Sequence, residues 1–246
     1  RASIVYRDLS AMLNIVVTAG ADDSTPRLTI NGTLPVSLAI EGVTERFPDR
    51  EQNIQVVSRG FDINVLDPLI GEVNNLSGKL ICAITLAGTP RNPRFGGSIT
   101  LNDVNFVFAP NNVRYTLSGD LEPSGDRILL KKLLLQNIPE AGLKGEANLK
   151  GSLTIKNYQI EEFDIIFNGQ LLVMSTATQR TGLTLYGPLL AEIGPDGLNL
   201  KGSFDRPYVS GKLYVLDANL IFPPTGETAK TSSQLTLNYF MINDTS

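Results

Sequence analysis

Apolar and polar residues alternate along most of this chain with a period of two, and no other feature constrains the fold as tightly. Successive side chains of an extended strand point to opposite faces, so each such run describes a strand with one buried and one wet face. The clearest run covers residues 147–156, where Ala147, Leu149, Gly151, Leu153 and Ile155 share one side. Residues 28–34, 53–57, 61–65, 97–101, 198–200, 211–215 and 235–239 follow the same pattern. Helical periodicity is nearly absent. Only residues 67–73 predict a short helical turn, with Asp67 as cap and Pro68 at the first helical position.

Turn chemistry punctuates the runs at Pro110-Asn111-Asn112, Glu122-Pro123-Ser124-Gly125-Asp126, Asn168-Gly169 and Gly194-Pro195-Asp196-Gly197. This spacing favours antiparallel meanders over crossover connections. The 246 residues, 42% hydrophobic and 19% charged, suffice for a sizeable apolar interior. A net charge of −4, with basic runs only at 91–94 and Lys131-Lys132, argues against a nucleic-acid face. No apolar run reaches the roughly 18 to 20 residues of a membrane-spanning helix, and the first residues carry no signal-peptide pattern. Residues 1–6 read as mid-strand and 235–242 as a strand without partners, so the chain is expected to be part of a longer protein.

Self-similarity decides more. Two segments align without gaps at an offset of about 114 residues. Leu86, Gly88, Pro93, Gly97, Ile99, Leu101, Asp103, Asn105 and Phe108 of the first correspond to Leu200, Gly202, Pro207, Gly211, Leu213, Val215, Asp217, Asn219 and Phe222 of the second. Within each unit the apolar phase slips by one residue at the aspartate, from Gly97, Ile99 and Leu101 to Val104, Phe106 and Phe108, and from Gly211, Leu213 and Val215 to Ala218, Leu220 and Phe222. Keeping both sets on one face requires bulges near Asp103 and Asp217. Gly32, Gly78, Gly88, Gly119, Gly151, Gly202 and Gly211 fall in the apolar phase of their strands, which predicts tight bending or close backbone approach. A sheet creased at these positions is a trough.

These residues resemble a known family, the C-terminal region of TamB, in the wider group with AsmA and the chorein-type bridge-like lipid transfer proteins. The carriers are Gly71-x-Val73-x-x-Leu76-x-Gly78-x-Leu80, the paired G-x4-P-x3-G units, residues 115–121 and residues 61–69. The resemblance covers most of residues 60 to 222. It implies an all-β fold: a long, strongly curved, mostly antiparallel sheet folded into a β-taco, an open groove with an apolar interior built from repeats. It also implies a periplasmic location in a diderm bacterium, within an inner-membrane-anchored protein that moves phospholipid and supports outer-membrane biogenesis with an Omp85-type partner such as TamA. Residues 1–75 are expected to be an N-terminal β segment continuous with the groove, and 76–246 the repeat-built region.

Catalysis finds little to work with. The chain has no histidine, the commonest general base and metal ligand. Cys82, the sole cysteine, reads as a small core residue rather than a nucleophile. Ser77 with Lys79, and Ser210 with Lys212, imitate Ser/Lys pairs but flank repeat glycines and read as solvated strand exterior. Glu161-Glu162 and Asp22-Asp23 are adjacent on strands and point to opposite faces, so neither forms an acid/base pair. The sequons at Asn31, Asn75 and Asn243 read as chance. No cofactor, metal or nucleic acid is expected, and the chain is not expected to be an enzyme.

The alternating strands alone fit a closed, side-chain-filled core as well; the resemblance to TamB implies instead passive conduction of phospholipid acyl chains between inner and outer membrane. Its lining is expected at Leu80, Ile99, Leu101, Phe106, Phe108, Leu117, Leu121, Leu149, Leu153, Ile155, Phe167, Leu171, Leu213, Val215, Leu220 and Phe222, with Gly88, Gly97, Asp103, Gly119, Gly202, Gly211 and Asp217 shaping the sheet. Sixteen to twenty strands about 4.8 Å apart would give a groove on the order of 80 to 90 Å long. Two rivals remain open: a chaperone or assembly module for outer-membrane β-barrels acting through open sheet edges, and a filled β-solenoid adhesin.

Overall fold

The computed structural model describes residues 1–18, 25–69 and 71–222. The run at 235–242, the Asp22-Asp23 pair and the sequon at Asn243 lie outside the described residues.

Among the described residues fourteen strands form one antiparallel sheet, as the alternation and turn spacing predict, and the sheet does not close. They are β1 (Ala2–Arg7), β2 (Ser10–Thr18), β3 (Pro26–Pro35), β4 (Gln52–Asp62), β5 (Val73–Gly88), β6 (Pro93–Phe108), β7 (Val113–Ser124), β8 (Arg127–Asn137), β9 (Glu146–Lys156), β10 (Gln159–Met174), β11 (Leu189–Ile193), β12 (Leu198–Gly202), β13 (Pro207–Ser210) and β14 (Leu213–Ala218). From β1 to β10 each strand pairs with its neighbours in sequence. Local chemistry explains the tightest links. Asp8-Leu9 and Asn157-Tyr158 both hold two consecutive left-handed residues, which matches the right-handed twist of the strands they join. β5 spans residue 75, so the sheet runs through the expected boundary without interruption.

The sheet is rolled as well as twisted. Asn157, in the β9–β10 turn, donates its backbone N–H to the Pro90 carbonyl in the β5–β6 turn at 3.1 Å. Tyr158 Oη donates to Gln52 Oε1 at the start of β4 and stacks edge-on against Phe47. In a flat sheet these groups would stand about 20 Å apart, so hydrogen bonding requires β4 to β10 to curl round a common interior. At the opposite strand ends, Tyr115 Oη on β7 donates to the Leu172 carbonyl on β10 at 2.9 Å. Twelve strands lie in one line, which would extend about 53 Å if flat, shorter than the expected groove.

The two repeat units fold to the same hairpin. Gly88 faces Pro93 and Leu86 faces Phe95, while Gly202 faces Pro207 and Leu200 faces Val209, the same register at equivalent positions. The first copy runs unbroken through the sixteen-residue strands β5 and β6. In the second copy both strands are severed at the same level. Gly194-Pro195-Asp196-Gly197 separates β11 from β12, and Gly211-Lys212 separates β13 from β14. The outer edge of β10 therefore forks, with residues 163–167 taken by β12 and residues 170–174 by β11.

Four expectations are corrected. Residues 61–65 are not one strand: β4 ends at Asp62 and a 3-10 helix, Ile63–Leu69, follows, because Ile63 buries with Leu76 and Val104. Pro68 lies near the end of that helix. Asp67 accepts the Leu76 N–H at 2.9 Å rather than capping a helix start. Asn168-Gly169 is the interior of β10, not a turn. Leu220 and Phe222 fall beyond the end of β14, and Phe222 is 70% exposed.

Candidate apolar trough

Directly opposed residues of an antiparallel pair share a face, so the register traces the inner wall rung by rung. One rung runs Val17, Leu28, Ser58, Cys82, Ile99 and Leu121 from β2 to β7. It continues through Leu130, Gly151, Ile165, Leu200 and Val209 to β13. A parallel rung passes through Leu80, Leu101, Gly119, Leu133, Leu149 and Phe167. Neither rung carries a charge, and the Ser58 hydroxyl is satisfied by the Leu80 carbonyl. The outer face carries cross-strand ion pairs instead. Lys79 meets Asp62 at 2.5 Å and Lys201 meets Asp164 at 3.1 Å, both well exposed and worth a few tenths of a kcal/mol each.

Glycines mark where these rungs bend. A side chain on Gly119 (φ +135°) would lie inside the Lys132 carbonyl of β8, and one on Gly151 (φ +147°) inside the Asp164 carbonyl of β10. Only glycine allows neighbouring backbones that close. At Asp103 (φ +48°) the register slips: Leu101 faces Gly119 but Val104 faces Leu117, leaving two residues opposite Ser118. The slip brings Val104 and Phe106 back to the inner face. The second unit slips at the equivalent place, where Leu190 faces Asp217 and Ala191 faces Val215, so Leu216 is the extra residue.

Burial divides the inner wall in two. From β7 to β11 it is packed solid: Tyr115, Leu130, Leu133, Ala147, Leu149 and Leu172 are buried together. Leu101, Phe106, Leu117, Leu121, Leu153, Phe167 and Leu171 are half-buried against them. Leu149 (7% exposed) thus belongs to a filled interior, because the roll brings opposite walls into contact, whereas Ile155 (9% exposed) lines the cleft at the strand ends. Leu80 and Ile99 are half-buried. Phe108 is exposed at the strand end, and Leu213 and Val215 are exposed on β14, which ends the line of strands among the described residues.

The open stretch lies where the sequence singled out only Leu80 as a lining residue. Leu13 and Ile15 on β2, Ile30 on β3, Val56 on β4, and Ile84 and Leu86 on β5 face inward yet stay half-buried. Their alternation was visible, but pattern alone does not reveal whether a face is covered.

Polar chemistry gathers at one end of the roll. The turns between β5 and β6, β7 and β8, and β9 and β10 surround a cleft of about 670 Å³ that includes Arg91, Arg94, Lys156, Glu51, Asp126 and Glu161. Lys156 pairs with Glu161 at 3.0 Å, and Arg91 with Glu45 at 2.7 Å. Burial pushes the Tyr115 and Tyr158 hydroxyls up to about 12, against the opposing hydrogen bonds with Asn111 and Gln52. It also raises the Cys82 thiol, against a backbone hydrogen bond at Ser58. Among the described residues no cluster of three or more carboxylate or cysteine side chains could hold a metal ion. No family model, curated protein or solved structure matches the chain.

Proposed function

We propose that the chain is a non-catalytic span of a lipid-conducting β-trough, in which acyl chains lie on the inner face of β2 to β5. The observation that carries this reading is the uncharged inner face of β2 to β5, where Leu13, Ile15, Val17, Leu28, Ile30, Val56, Ile84 and Leu86 are half-buried. Each acyl methylene moved from water to such a wall is worth about 0.8 kcal/mol, so a continuous apolar wall lowers the barrier to lipid transfer without chemistry. The resemblance to TamB supplies the setting: the periplasm of a diderm bacterium, between inner and outer membrane. Mass spectrometry of an organic extract of the purified protein tests the reading. Phospholipid is expected in stoichiometric amount, and Ile30→Asp combined with Ile84→Asp is expected to abolish it while circular dichroism stays unchanged. A lipid-free wild-type extract overturns the trough.

One observation favours a second reading. Among the described residues β1 and β14 are exposed along their whole lengths and carry apolar side chains on both faces, Ile4 with Val5 and Tyr214 with Val215. Open apolar edges recruit further strands. An assembly module for outer-membrane strands, with an Omp85-type partner, would give crosslinks from photoreactive groups at Tyr214 to a second protein.

A further inference from the structure

We infer that Gln52 is the polar anchor of the trough, donating a hydrogen bond from Nε2 to the ester carbonyl of a diacyl lipid. The inference rests on the trough reading above. Gln52 begins β4 on the inward phase it shares with Ile54, Val56 and Ser58, and is only 3% exposed. Its Oε1 accepts from Tyr158 Oη, which fixes the amide plane and turns the NH2 group away from the tyrosine. That NH2 group is buried and has no partner. Buried donors are rarely left unpaired, and one held in place by a neighbour marks a position where another acceptor belongs.

The surroundings define the acceptor. Gln52 lies opposite Gly88, and the next rung of the same face is Ile54, Leu86 and Phe95. An occupant reaching Nε2 from inside therefore runs along aliphatic side chains, several of them half-buried. A phosphate or carboxylate would need charged partners at this depth, whereas a neutral carbonyl is matched by a neutral amide. Charge begins immediately outside. Glu51 and Gly88, the chain neighbour and the strand partner of Gln52, both line the cleft that contains Arg91, Arg94 and Lys156. Hydrocarbon, then one neutral donor, then mixed charge is the order of groups in a zwitterionic glycerophospholipid.

Two measurements on the whole chain test this. Phosphatidylethanolamine with ester linkages, its ether-linked analogue and hexadecane are each offered to wild type and to Gln52→Met, a side chain of similar length without a donor. Wild type is expected to hold the ester lipid about tenfold more tightly than Gln52→Met does, with hexadecane unaffected. The ether analogue is expected to bind both proteins at the weaker level. In wild type, the Gln52 side-chain amide resonance is expected to move on adding the ester lipid, a readout that needs no variant. Equal ester and ether binding, or an unmoved resonance with lipid bound, means the amide holds water only and overturns the anchor. Wild type that binds neither lipid nor hexadecane overturns the trough reading and the anchor with it.

Discussion

At the scale of single residues, the glycines and one tyrosine set the limits of the fold. Gly119 sits where β7 and β8 come too close for any side chain. Gly119→Val is expected to cost roughly 2–3 kcal/mol, lowering the melting temperature on the order of 5–10 °C by calorimetry. Gly142 has a positive φ but open space around it, so Gly142→Ala is the milder control. Tyr115 joins walls three strands apart, accepting from Asn111 and donating to Leu172. Its pKa of about 12 lies above the ordinary value near 10, so between those limits the unfolded chain releases the proton while the folded chain keeps it. Its stabilising contribution, present below pH 10, is expected to fall as pH rises from about 10 to 12. Tyr115→Phe should flatten that part of a urea-melt pH series at a cost of roughly 1–2 kcal/mol near neutrality. The sequence marked Gly119 as a strand glycine. It gave no sign of Tyr115, because a bond from β7 to β10 depends on the roll rather than on local pattern.

At the scale of elements, the phase slip is the most informative device. The alternation breaks at Asp103 and Asp217, and the structure places an extra residue at each. Asp103 takes a left-handed backbone and anchors it through Ser118 Oγ at 3.2 Å. Asp103→Gly is expected to keep its stability within experimental error, whereas Asp103→Val should lose about 1–2 kcal/mol in denaturant melts. The slips were legible because bulges leave a mark in hydrophobic phase. The severed second hairpin was not. The alignment covered residues 86–108 and 200–222, and within it Gly97 and Gly211 are the same letter, although β6 continues through one and β13 stops at the other. Neighbouring chemistry decides: Pro195 has no donor to pass through a central strand, so the partner strand breaks and the hairpin splits at that level. The 3-10 helix at Ile63–Leu69 escaped for a related reason, since five residues of alternation fit a strand or a buried turn equally well.

At the scale of the whole molecule, the all-β class, the antiparallel meander and the apolar inner face follow from the alternating pattern, while the division into a packed half and an open half does not. Both halves present Leu, Ile and Val at the same period. The packing of opposite walls from β7 to β11 decides which are covered. That division makes a prediction of its own: charge introduced at Leu149, in the packed half, should unfold the protein, whereas charge at Ile30 should spare the fold and remove bound lipid, as circular dichroism and extract composition would record side by side. The strand order carries a mechanical consequence. From β1 to β9 each strand's ladder partners are its neighbours in sequence, so a pull on that end loads the hydrogen bonds one at a time rather than all at once. Under tension the molecule should peel hairpin by hairpin at low force. Resistance should rise where the Tyr158–Gln52 and Tyr115–Leu172 bonds tie distant strands together, so those two ties act as the rivets of an otherwise unzippable sheet.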